Sequence, residues 1–417
     1  MSQPLRVLFL VHGHPAERPG GAEVYAWELF LAMKDNPRFE PFFLSRTDVR
    51  PGQPVLSENP HHPGHFRLAT DMADFDFLYQ ELRAPANTGW WLETLLRKLQ
   101  PDVVHFQHTL FLGLRLIPLV RTVLPRAKVI YTLHEFFPLC HHRGLLYRTR
   151  EPGPCDGPSP SDCHRCFPDI SPASFAGREK HVLERLAAVD RFIAPSKFLG
   201  ARFAAWGLPT KKIVVEEYGR RNIPVVPPRP AERRDQFGYF GQINPFKGVD
   251  VLLQAVLRLA TVGSPTLRVH LSGANLELQP PAWQEAYRKL LDAARATGRV
   301  IDHGPYAQAE LPRRMALVDW VVVPSIWWEN SPLVIQEAAA SGRPVLTSDI
   351  GGMAEKVVHG VTGYHFRAGD PLSLAAAIRD ALLDPDAWTR LRESIPPPYA
   401  MSNHLRVLED LYNSVKR

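Results

Sequence analysis

The feature that most constrains this chain is an alternation. Short apolar runs rich in β-branched residues recur between helix-patterned segments, in two successive series. In the first series, strand-like runs fall at Leu5–Val11, Pro41–Leu44, Asp102–Gln107, Lys128–His134, Arg191–Pro195 and Lys212–Glu216. Helix-like stretches lie between them at Ala22–Lys34, Thr88–Leu99, Leu112–Val123, Phe175–Ala188 and Lys197–Trp206. The second series has strands at Phe237–Gln242, Leu267–Ser272, Val300–His303, Trp320–Pro324 and Pro344–Ser348. Its helices fall near Val249–Ala260, Trp283–Ala296, Leu311–Ala316, Pro332–Ser341 and Pro371–Leu383. Such an order predicts parallel sheets covered by helices on both faces. The fold class is therefore α/β, with two Rossmann-like domains. In open α/β sheets ligands bind beyond the carboxyl ends of the strands. Two such sheets facing each other place a site in the cleft.

Length agrees with that division, because 417 residues exceed what one hydrophobic core usually serves. Gly219–Asp235, GRRNIPVVPPRPAERRD, is rich in Pro and Arg and lacks apolar periodicity. It reads as a linker. The expected organisation is an N-terminal domain over 1–218, a linker over 219–235 and a C-terminal domain over 236–395. A last helix over 400–417 is expected to return to the N-terminal domain. Forty prolines favour rigid loops over long helices. The most apolar stretch, Leu110–Val120, is short and carries Arg115, whereas a membrane-spanning helix needs about 20 apolar residues. The first residues, MSQPLRVLFLVHGH, have too short an apolar run for a secretion signal and no cleavage site. A cytoplasmic location is the expectation. Residues 1–190 balance 21 basic against 21 acidic side chains, so the net charge of +6 lies downstream. A mildly basic second half suits an anionic small ligand or membrane surface. Dense basic runs interleaved with aromatics are missing, which argues against nucleic acid.

The most informative segment is Val321–Ala340, VVVPSIWWENSPLVIQEAAA. A buried strand ends at Pro324 and a loop carries Glu329. Ser331 is placed as an N-cap and Pro332 as the first helical residue, with Glu337 inside the helix. A helix N-terminus offers unpaired N–H groups and partial positive charge to a phosphate or a sugar hydroxyl. Two carboxylates spaced like Glu329 and Glu337 can hold two different polyols. Spacing alone leaves open that both are solvated acids.

Read together, several motifs resemble the family-4 retaining glycosyltransferases of the GT-B fold (glycosyltransferase group 1). Glu329-x7-Glu337 lies inside P-S-x5-N-S-P-L-x3-E-A and is followed by Ser341-Gly342-Arg343-Pro344-Val345. Downstream come Ile350-Gly351-Gly352-x2-Glu355 and Gly360-x2-Gly363. Upstream, Phe240-Gly241-Gln242-x4-Lys247-Gly248-x-Asp250 is similar to the family's phosphate-binding segment, and Gly20-Gly21-Ala22-Glu23 to its glycine-rich loop. The ordered set, spread over nearly the whole chain, carries the resemblance; the paired glutamates alone would not.

The resemblance implies a donor site of Gly20, Gly21, Gln242, Lys247, Asn330, Ser331, Leu333 and Glu337. Glu337 would bind ribose hydroxyls, and Glu329 would sit by the donor sugar. N–H groups near Ser331 and Leu333 would meet the diphosphate or sugar, and Lys247 would neutralise the diphosphate. The leaving nucleoside diphosphate gains charge as the glycosidic bond breaks, so a cation and a helix terminus there favour the transition state. The family has a basic residue where this chain has Gln242. Either Arg220 or Arg221 compensates, or backbone N–H groups do more. Read without the resemblance, Lys247 is equally a surface lysine and Gly20-Gly21 an ordinary strand-to-helix loop, although glycine there permits positive φ and close approach to a ligand.

His105 and His108 end one expected strand and His134 the next. A neutral imidazole there can bond a sugar or accept a proton. The resemblance places a histidine of this region at the donor sugar or the acceptor, with His108 preferred and His134 next. Structural histidines are the other reading. Cys140, Cys155, Cys163 and Cys166 lie in an insertion near 138–170, spaced C-x14-C-x7-C-x2-C. Four thiolates can close a structural zinc site, with His141, His142 and His164 as substitutes. Free thiols or disulfides are the alternatives. Leu110–Lys128 is apolar and basic, which suits either a core helix or peripheral contact with a membrane holding a lipid-linked acceptor.

These readings converge on a retaining glycosyltransferase (EC 2.4). It would use a UDP- or GDP-sugar donor and a hydroxyl acceptor: a glycan, a polysaccharide precursor or a lipid-linked sugar. Glu329, Lys247, His108 and His134 are the catalytic candidates, and no catalytic metal is expected. A nucleotide-sugar epimerase of similar fold and an inactive nucleotide- or sugar-binding module are the alternatives.

Overall fold

The computed structural model describes residues 3–17, 20–83, 85–221, 223, 225–230, 233–262 and 265–414. The chain divides into two compact units, one of residues 1–221 with 399–417 and one of residues 222–398.

Unit 1 is built on eight strands: β1 (Leu5–Val11), β2 (Phe39–Thr47), β3 (Leu56–Glu58), β4 (His65–Ala69), β5 (Val103–Phe106), β6 (Lys128–Thr132), β7 (Arg191–Ala194) and β8 (Ile213–Val215). Their order is β8-β7-β6-β5-β1-β2-β4-β3, parallel except for β3 against β4. Val7 to Val11 are all inaccessible to solvent, as expected of a strand covered on both faces. The sequence leaves β1 toward β2 on one side, while β5 and β6 continue on the other. The switch point thus falls between β1 and β5, where a doubly wound sheet opens a crevice. β3 and β4 were not foreseen: HFRLA is short and centred on Arg67, which hides its alternation.

The Met401–Ser414 helix belongs to unit 1 and is held by buried polar contacts. His404 Nε2 meets the Tyr25 hydroxyl at 2.7 Å and its Nδ1 meets Glu216 at 2.9 Å. Tyr412 meets His105 at 2.7 Å. Gly219 makes room for His404, since a Cβ there would lie 2.5 Å from the His404 Cβ. The apolar 110–128 segment also turns inward. Only Leu116–Val123 is helical, and Leu114, Leu116, Ile117 and Val120 are buried. Arg115 is held by Glu81, Arg121 by Asp190, and Lys128 by the Tyr412 carbonyl. Of the two readings of this segment, the packing favours the core helix for its apolar face, with Arg115, Arg121 and Lys128 engaged within the protein.

Unit 2 has six parallel strands: β9 (Gln236–Gln242), β10 (Arg268–Ala274), β11 (Val300–Asp302), β12 (Trp320–Val323), β13 (Val345–Ser348) and β14 (Gly363–Phe366). Their order is β11-β10-β9-β12-β13-β14. Alternate side chains feed two cores. Phe237, Trp320, Val322 and Leu346 pack with the Val249–Val262 and Pro371–Leu383 helices, and Phe240, Val321, Val323 and Val345 pack with Ile335, Ala338 and Met353. Here the switch point lies between β9 and β12. Within the expected linker, Arg229 and Arg234 both pair with buried Asp319 of unit 2, and Arg343 is buried against the Val226 and Pro227 carbonyls. The described part of that segment is thus tied down rather than solvated.

Candidate functional site

At the unit 2 switch point two loops are locked together by backbone geometry. Asn244 Oδ1 accepts from the N–H groups of Phe246 (3.0 Å) and Lys247 (3.1 Å), tightening the loop after β9. Ile326 N–H then donates to the Phe246 carbonyl at 2.9 Å, joining this loop to the one after β12. Gly248 has φ +65°, and a Cβ on it would lie 1.8 Å from the Pro324 carbonyl oxygen. Only glycine permits that approach.

The consequence is a buried ion pair. Lys247 Nζ donates to Glu329 Oε1 at 2.5 Å, and the same oxygen accepts from Ser325 Oγ (2.7 Å) and Trp327 Nε1 (3.0 Å). Three donors on one carboxylate oxygen, one of them charged, offset the cost of burying Glu329. The ammonium also lies 5.6 Å from the Trp327 ring centre. From the other side, Gly352 N–H donates to the Glu329 carbonyl at 2.8 Å. A Cβ on Gly352 would lie 1.4 Å from the Asn330 carbonyl oxygen, so the Gly351-Gly352 pair clamps the loop that carries Glu329.

The adjoining helix runs Leu333–Ala340 and begins one residue later than expected. Pro332, with ψ 120°, is the N-cap and itself makes no side-chain cap hydrogen bond. Ser331 is correspondingly outside the helix: proline fixes φ, but its extended ψ delays the first turn. Asn330 and Ser331 are buried next to Glu329. Glu337, buried within the helix, accepts from Gln308 Nε2 at 3.0 Å. Gln242, exposed at the end of β9, accepts from Asn244 Nδ2 at 3.2 Å. The structure therefore brings together Lys247, Glu329, Asn330, Ser331 and the start of the helix that holds Leu333 and Glu337. It does not free Arg220 or Arg221 to compensate for Gln242. Arg220 is buried against Glu28 at 3.1 Å, and Arg221 pairs with Asp35.

Unit 1 presents different chemistry at its own switch point. Leu110 N–H donates to His108 Nδ1 at 2.9 Å, so the ring proton must be on Nε2, which donates to Glu135 at 2.9 Å. Burial pushes His108 well below the ordinary histidine value, with His12 and His134 adding to it. Burial pushes Glu135 well above the ordinary carboxyl range, opposed by the Phe137 N–H. Both shifts favour the neutral form of the group in this contact. His134 donates from Nε2 to Gln107 Oε1 at 2.9 Å, and its Nδ1 accepts from the Tyr218 hydroxyl at 2.6 Å. Burial lowers it to about 3. Both histidines favoured from sequence therefore have both ring nitrogens engaged within the protein. His105 does too, with Tyr412 and Thr132.

Gly20 has φ −147°, an extended conformation open to any residue. Its lack of a side chain serves Glu23 instead, since a Cβ there would lie 2.5 Å from Glu23 Oε2. Gly21 is the first residue of the Gly21–Lys34 helix. Glu23 bonds His12 Nε2 at 2.8 Å. The His12 ring packs against that of His108 at a tilt, with ring centres 4.3 Å apart. Sequence reasoning passed over His12, Gln107, Glu135, Ser325, Trp327 and Gln308. His12 could have been found by the rule applied to His108, because it follows β1 directly.

The four cysteines are free thiols, and no group of three or more His, Cys, Asp or Glu among the described residues is arranged to hold a metal ion. The tetrahedral thiolate site is not assembled. Cys155 donates to the Gly157 carbonyl at 3.2 Å, and burial pushes Cys140 up to about 12 and Cys163 up to about 11. Pro160–Cys166 is a short helix capped by Ser159, which spends the C-x2-C spacing on a helical turn.

Two doubly wound parallel-sheet units with a site at each switch point define the GT-B class. The model of glycosyltransferase family 4 matches residues 19–216, and that of glycosyl transferases group 1 matches residues 234–384. The chain belongs to this retaining family of nucleotide-sugar glycosyltransferases. The lipopolysaccharide 1,2-N-acetylglucosaminetransferase of Salmonella typhimurium is 35% identical over 143 residues, which is 34% of this chain and 37% of that protein. Glycogen synthase of Mycobacterium tuberculosis is 34% identical over 165 residues, 38% of each chain. The chain thus spans about two fifths of the length of the curated relatives it matches. Among solved structures, sucrose-phosphate synthase of Thermosynechococcus elongatus superposes with TM-score 0.72 at 18% identity, covering 99% of both chains. The Anabaena protein HepE in complex with UDP and glucose gives 0.68 at 17%, covering 98% of this chain and all of that one. These likenesses establish the fold.

Proposed function

We propose that this chain transfers a sugar from a nucleotide diphosphate sugar, a UDP- or GDP-sugar, to a hydroxyl of a glycan, polysaccharide precursor or lipid-linked sugar, with retention of configuration. Residues 236–395 serve as the donor domain and residues 1–218 as the acceptor-side domain, joined by 219–235, with 400–417 part of the acceptor side. The observation that carries this reading is the Lys247–Glu329 pair at the unit 2 switch point beside the start of the Leu333–Ala340 helix. HepE, of the same fold, was crystallised with UDP, which favours a UDP-sugar.

In this reading the diphosphate lies across the helix start, and Glu337 takes the ribose hydroxyls. Glu329 holds Lys247 in place and faces the donor sugar, with Asn330 and Ser331 beside it. The bond from the anomeric carbon to the phosphate oxygen breaks with its electron pair leaving on the diphosphate. A bond from the acceptor oxygen forms on the same face, and the acceptor proton passes to the departing phosphate. Lys247 and the helix N–H groups stabilise the charge that develops. His108 and His134, with their ring nitrogens engaged, act as a fixed wall rather than as proton carriers. A screen of UDP-, GDP- and ADP-sugars tests the reading. A transferase is stabilised by its nucleotide and releases nucleoside diphosphate, slowly to water and faster with acceptor. Binding without release in every condition would reduce the chain to a binding module.

A further inference from the structure

The cysteine-bearing insertion of unit 1 borders a hollow that uses none of the residues assigned above to sugar transfer. Its walls come from the chain after β6, from the start of the Pro160–Cys166 helix, and from the Pro172–Leu186 and Lys197–Trp206 helices. It measures about 250 Å³ counting its open mouth, and its interior has room for about one water-sized body. Arg178 and Trp206 both line it and are only 3% and 8% exposed. Arg178 Nε and Trp206 Nε1 are buried and have no hydrogen-bond partner among the described residues. Each can only donate, so what both lack is an acceptor. His141 Nδ1 is a third buried nitrogen of a lining residue without a partner. Burial, with Arg178 adding to it, holds that imidazole below the ordinary value. The ring is therefore neutral, and Nδ1 carries a proton or a lone pair according to the tautomer.

The charge of Arg178 decides what fits. Its other two nitrogens donate to neutral groups, the Leu139 carbonyl at 3.1 Å and the Phe137 carbonyl at 3.2 Å. Burial lowers it to about 10, which leaves it a cation at neutral pH. Cys140 and Cys163 do not balance that charge, because burial pushes them up to about 12 and about 11 and keeps both as thiols. Glu179, half-buried and also lining the hollow, acts on Arg178 less than either thiol does, and no ion pair joins the two among the described residues. Ser159 spends its hydroxyl at its own helix start, donating to Asp162 Oδ2 at 2.6 Å and accepting from the Asp162 N–H at 3.1 Å. A guanidinium buried without a counter-charge is strongly unfavourable. A water in the hollow would meet the donors but not the charge. We infer that this hollow is a binding site for one small anion, a halide or a single oxygen of a carboxylate or phosphate, held by Arg178 Nε–H and Trp206 Nε1–H. The His141 tautomer with its proton on Nδ1 supplies a further donor. Seated there, the anion ties the insertion to the two helices, so its role is to hold the insertion in place.

The test is anion-dependent stability, and it is independent of the transferase reading because no donor or acceptor enters it. Tm is followed as chloride, bromide, acetate or phosphate replaces methanesulfonate at a constant ionic strength of about 0.15 M. Wild type is compared with Trp206→Phe, which keeps a ring but removes the donor, with Arg178→Lys, which keeps the charge but removes Nε–H, and with Glu179→Gln. Effects of salt on the rest of the surface are common to all of them. The expected result is a saturable rise in the wild-type Tm of about 3 °C. The half-saturating concentration should be about tenfold higher in Trp206→Phe and Arg178→Lys, and lower in Glu179→Gln. A response to halides assigns the site to a free ion. A response to acetate or phosphate without one to halides assigns it to the acidic group of a larger molecule; both support an anion site. A wild-type Tm that no anion raises overturns the inference, as does equal half-saturation in wild type and Trp206→Phe. So does zinc in the purified protein whose removal by a chelator exposes the thiols, since thiolates would then balance Arg178. If Arg178→Lys does not fold, which its melting in methanesulfonate shows, Trp206→Phe alone decides.

Discussion

The two switch points of this molecule solve the same problem in opposite ways. In unit 2 the loops after β9 and β12 hold a charged pair, Lys247 and Glu329, with every contact on Glu329 Oε1 directed by a nearby donor. In unit 1 the residues after β1, β5 and β6 are histidines, a glutamine and a glutamate, and burial shifts His108, His134 and Glu135 toward their neutral forms. The difference teaches that a doubly wound sheet supplies only a place. Charge is paired at the one place and disfavoured at the other.

The sharpest way to break the comparison is to remove the charge from unit 2. Lys247→Ala deletes the side-chain cation that the proposed reading assigns to the diphosphate and leaves Glu329 buried without its counter-charge. Turnover, read as nucleoside diphosphate release, is expected to fall by about 100- to 1,000-fold, the range typical for losing one donor to developing charge. Because Glu329 acts through the same pair, Glu329→Gln and the double variant are expected to be markedly non-additive. Additive losses would mean that the two side chains act separately, and the contrast between the units would lose its chemical basis.

Next in size are the glycines that build the paired site. In Gly248→Ala the new Cβ meets the Pro324 carbonyl oxygen at 1.8 Å and forces a left-handed backbone on alanine. A loss of about 2–4 kcal/mol is expected in denaturant unfolding of unit 2, in line with clash and backbone strain acting together. Gly20→Ala in unit 1 meets only the movable end of Glu23, so a smaller loss is expected there. Glu337→Ala follows. It should weaken nucleotide binding by about tenfold to a hundredfold, the worth of one or two charge-assisted hydrogen bonds. Its effect on the melting temperature should be visible only when nucleotide is present.

How much of this was legible in the sequence follows the same physical divide. Strands such as Leu5–Val11 and Trp320–Val323 announce themselves because both faces are buried, so nearly every residue is apolar. GYHF in β14 and HFRLA in β4 carry histidine and arginine and do not. The unit 2 cluster was named through the family resemblance that its ordered motifs carry; the spacing of Glu329 and Glu337 alone would not have found it. The Pro332 boundary was missed by one residue, since Ser-Pro fits two cap registers. The unit 1 site was only half legible. A histidine at a strand end can be seen in the sequence, but which of its nitrogens the protein already uses is a three-dimensional fact. That is why His108 and His134 drew attention and His12 did not. The cysteine spacing was ambiguous for a related reason, because C-x2-C fits one turn of helix as well as a metal knuckle.

Acidification sharpens the comparison more gently. His134 and His65 in unit 1 are lowered by burial to about 3, and His105 and His108 are also well below the ordinary value. In unit 2, His270 is lowered to about 4 and His303 less so. A histidine lowered in the folded state is neutral there and charges on unfolding. Its contribution is whole above about pH 6.5 and falls as pH drops toward the folded value, by at most about 1.4 kcal/mol per pH unit for each group. Glu135, raised by burial, has the opposite sign. It is best accommodated below the ordinary carboxyl value, and its contribution is lost as pH rises, so it offsets part of one histidine. Hydrogen exchange followed from pH 7 to pH 4.5 is expected to show unit 1 losing protection before unit 2. Simultaneous loss would mean that burial does not set the two units apart.

The smallest expected effect concerns the cysteines, and it tests the same suppression of charge at a distance from either switch point. Cys140 and Cys163 are raised to about 12 and about 11 chiefly by burial, and even the neighbouring Arg178, lowered to about 10 by its own burial, donates to the Leu139 and Phe137 carbonyls rather than forming a thiolate pair. At pH 8 about one Cys140 thiol in 10,000 is ionised, and only the thiolate is alkylated. Iodoacetamide labelling of the folded protein, read peptide by peptide, should therefore reach Cys140 last, with Cys163 faster than Cys140 by about tenfold. A bound zinc would give a different pattern: all four thiols protected together, and all four released by a chelator. That outcome would show that this insertion gathers charge around a metal instead of excluding it.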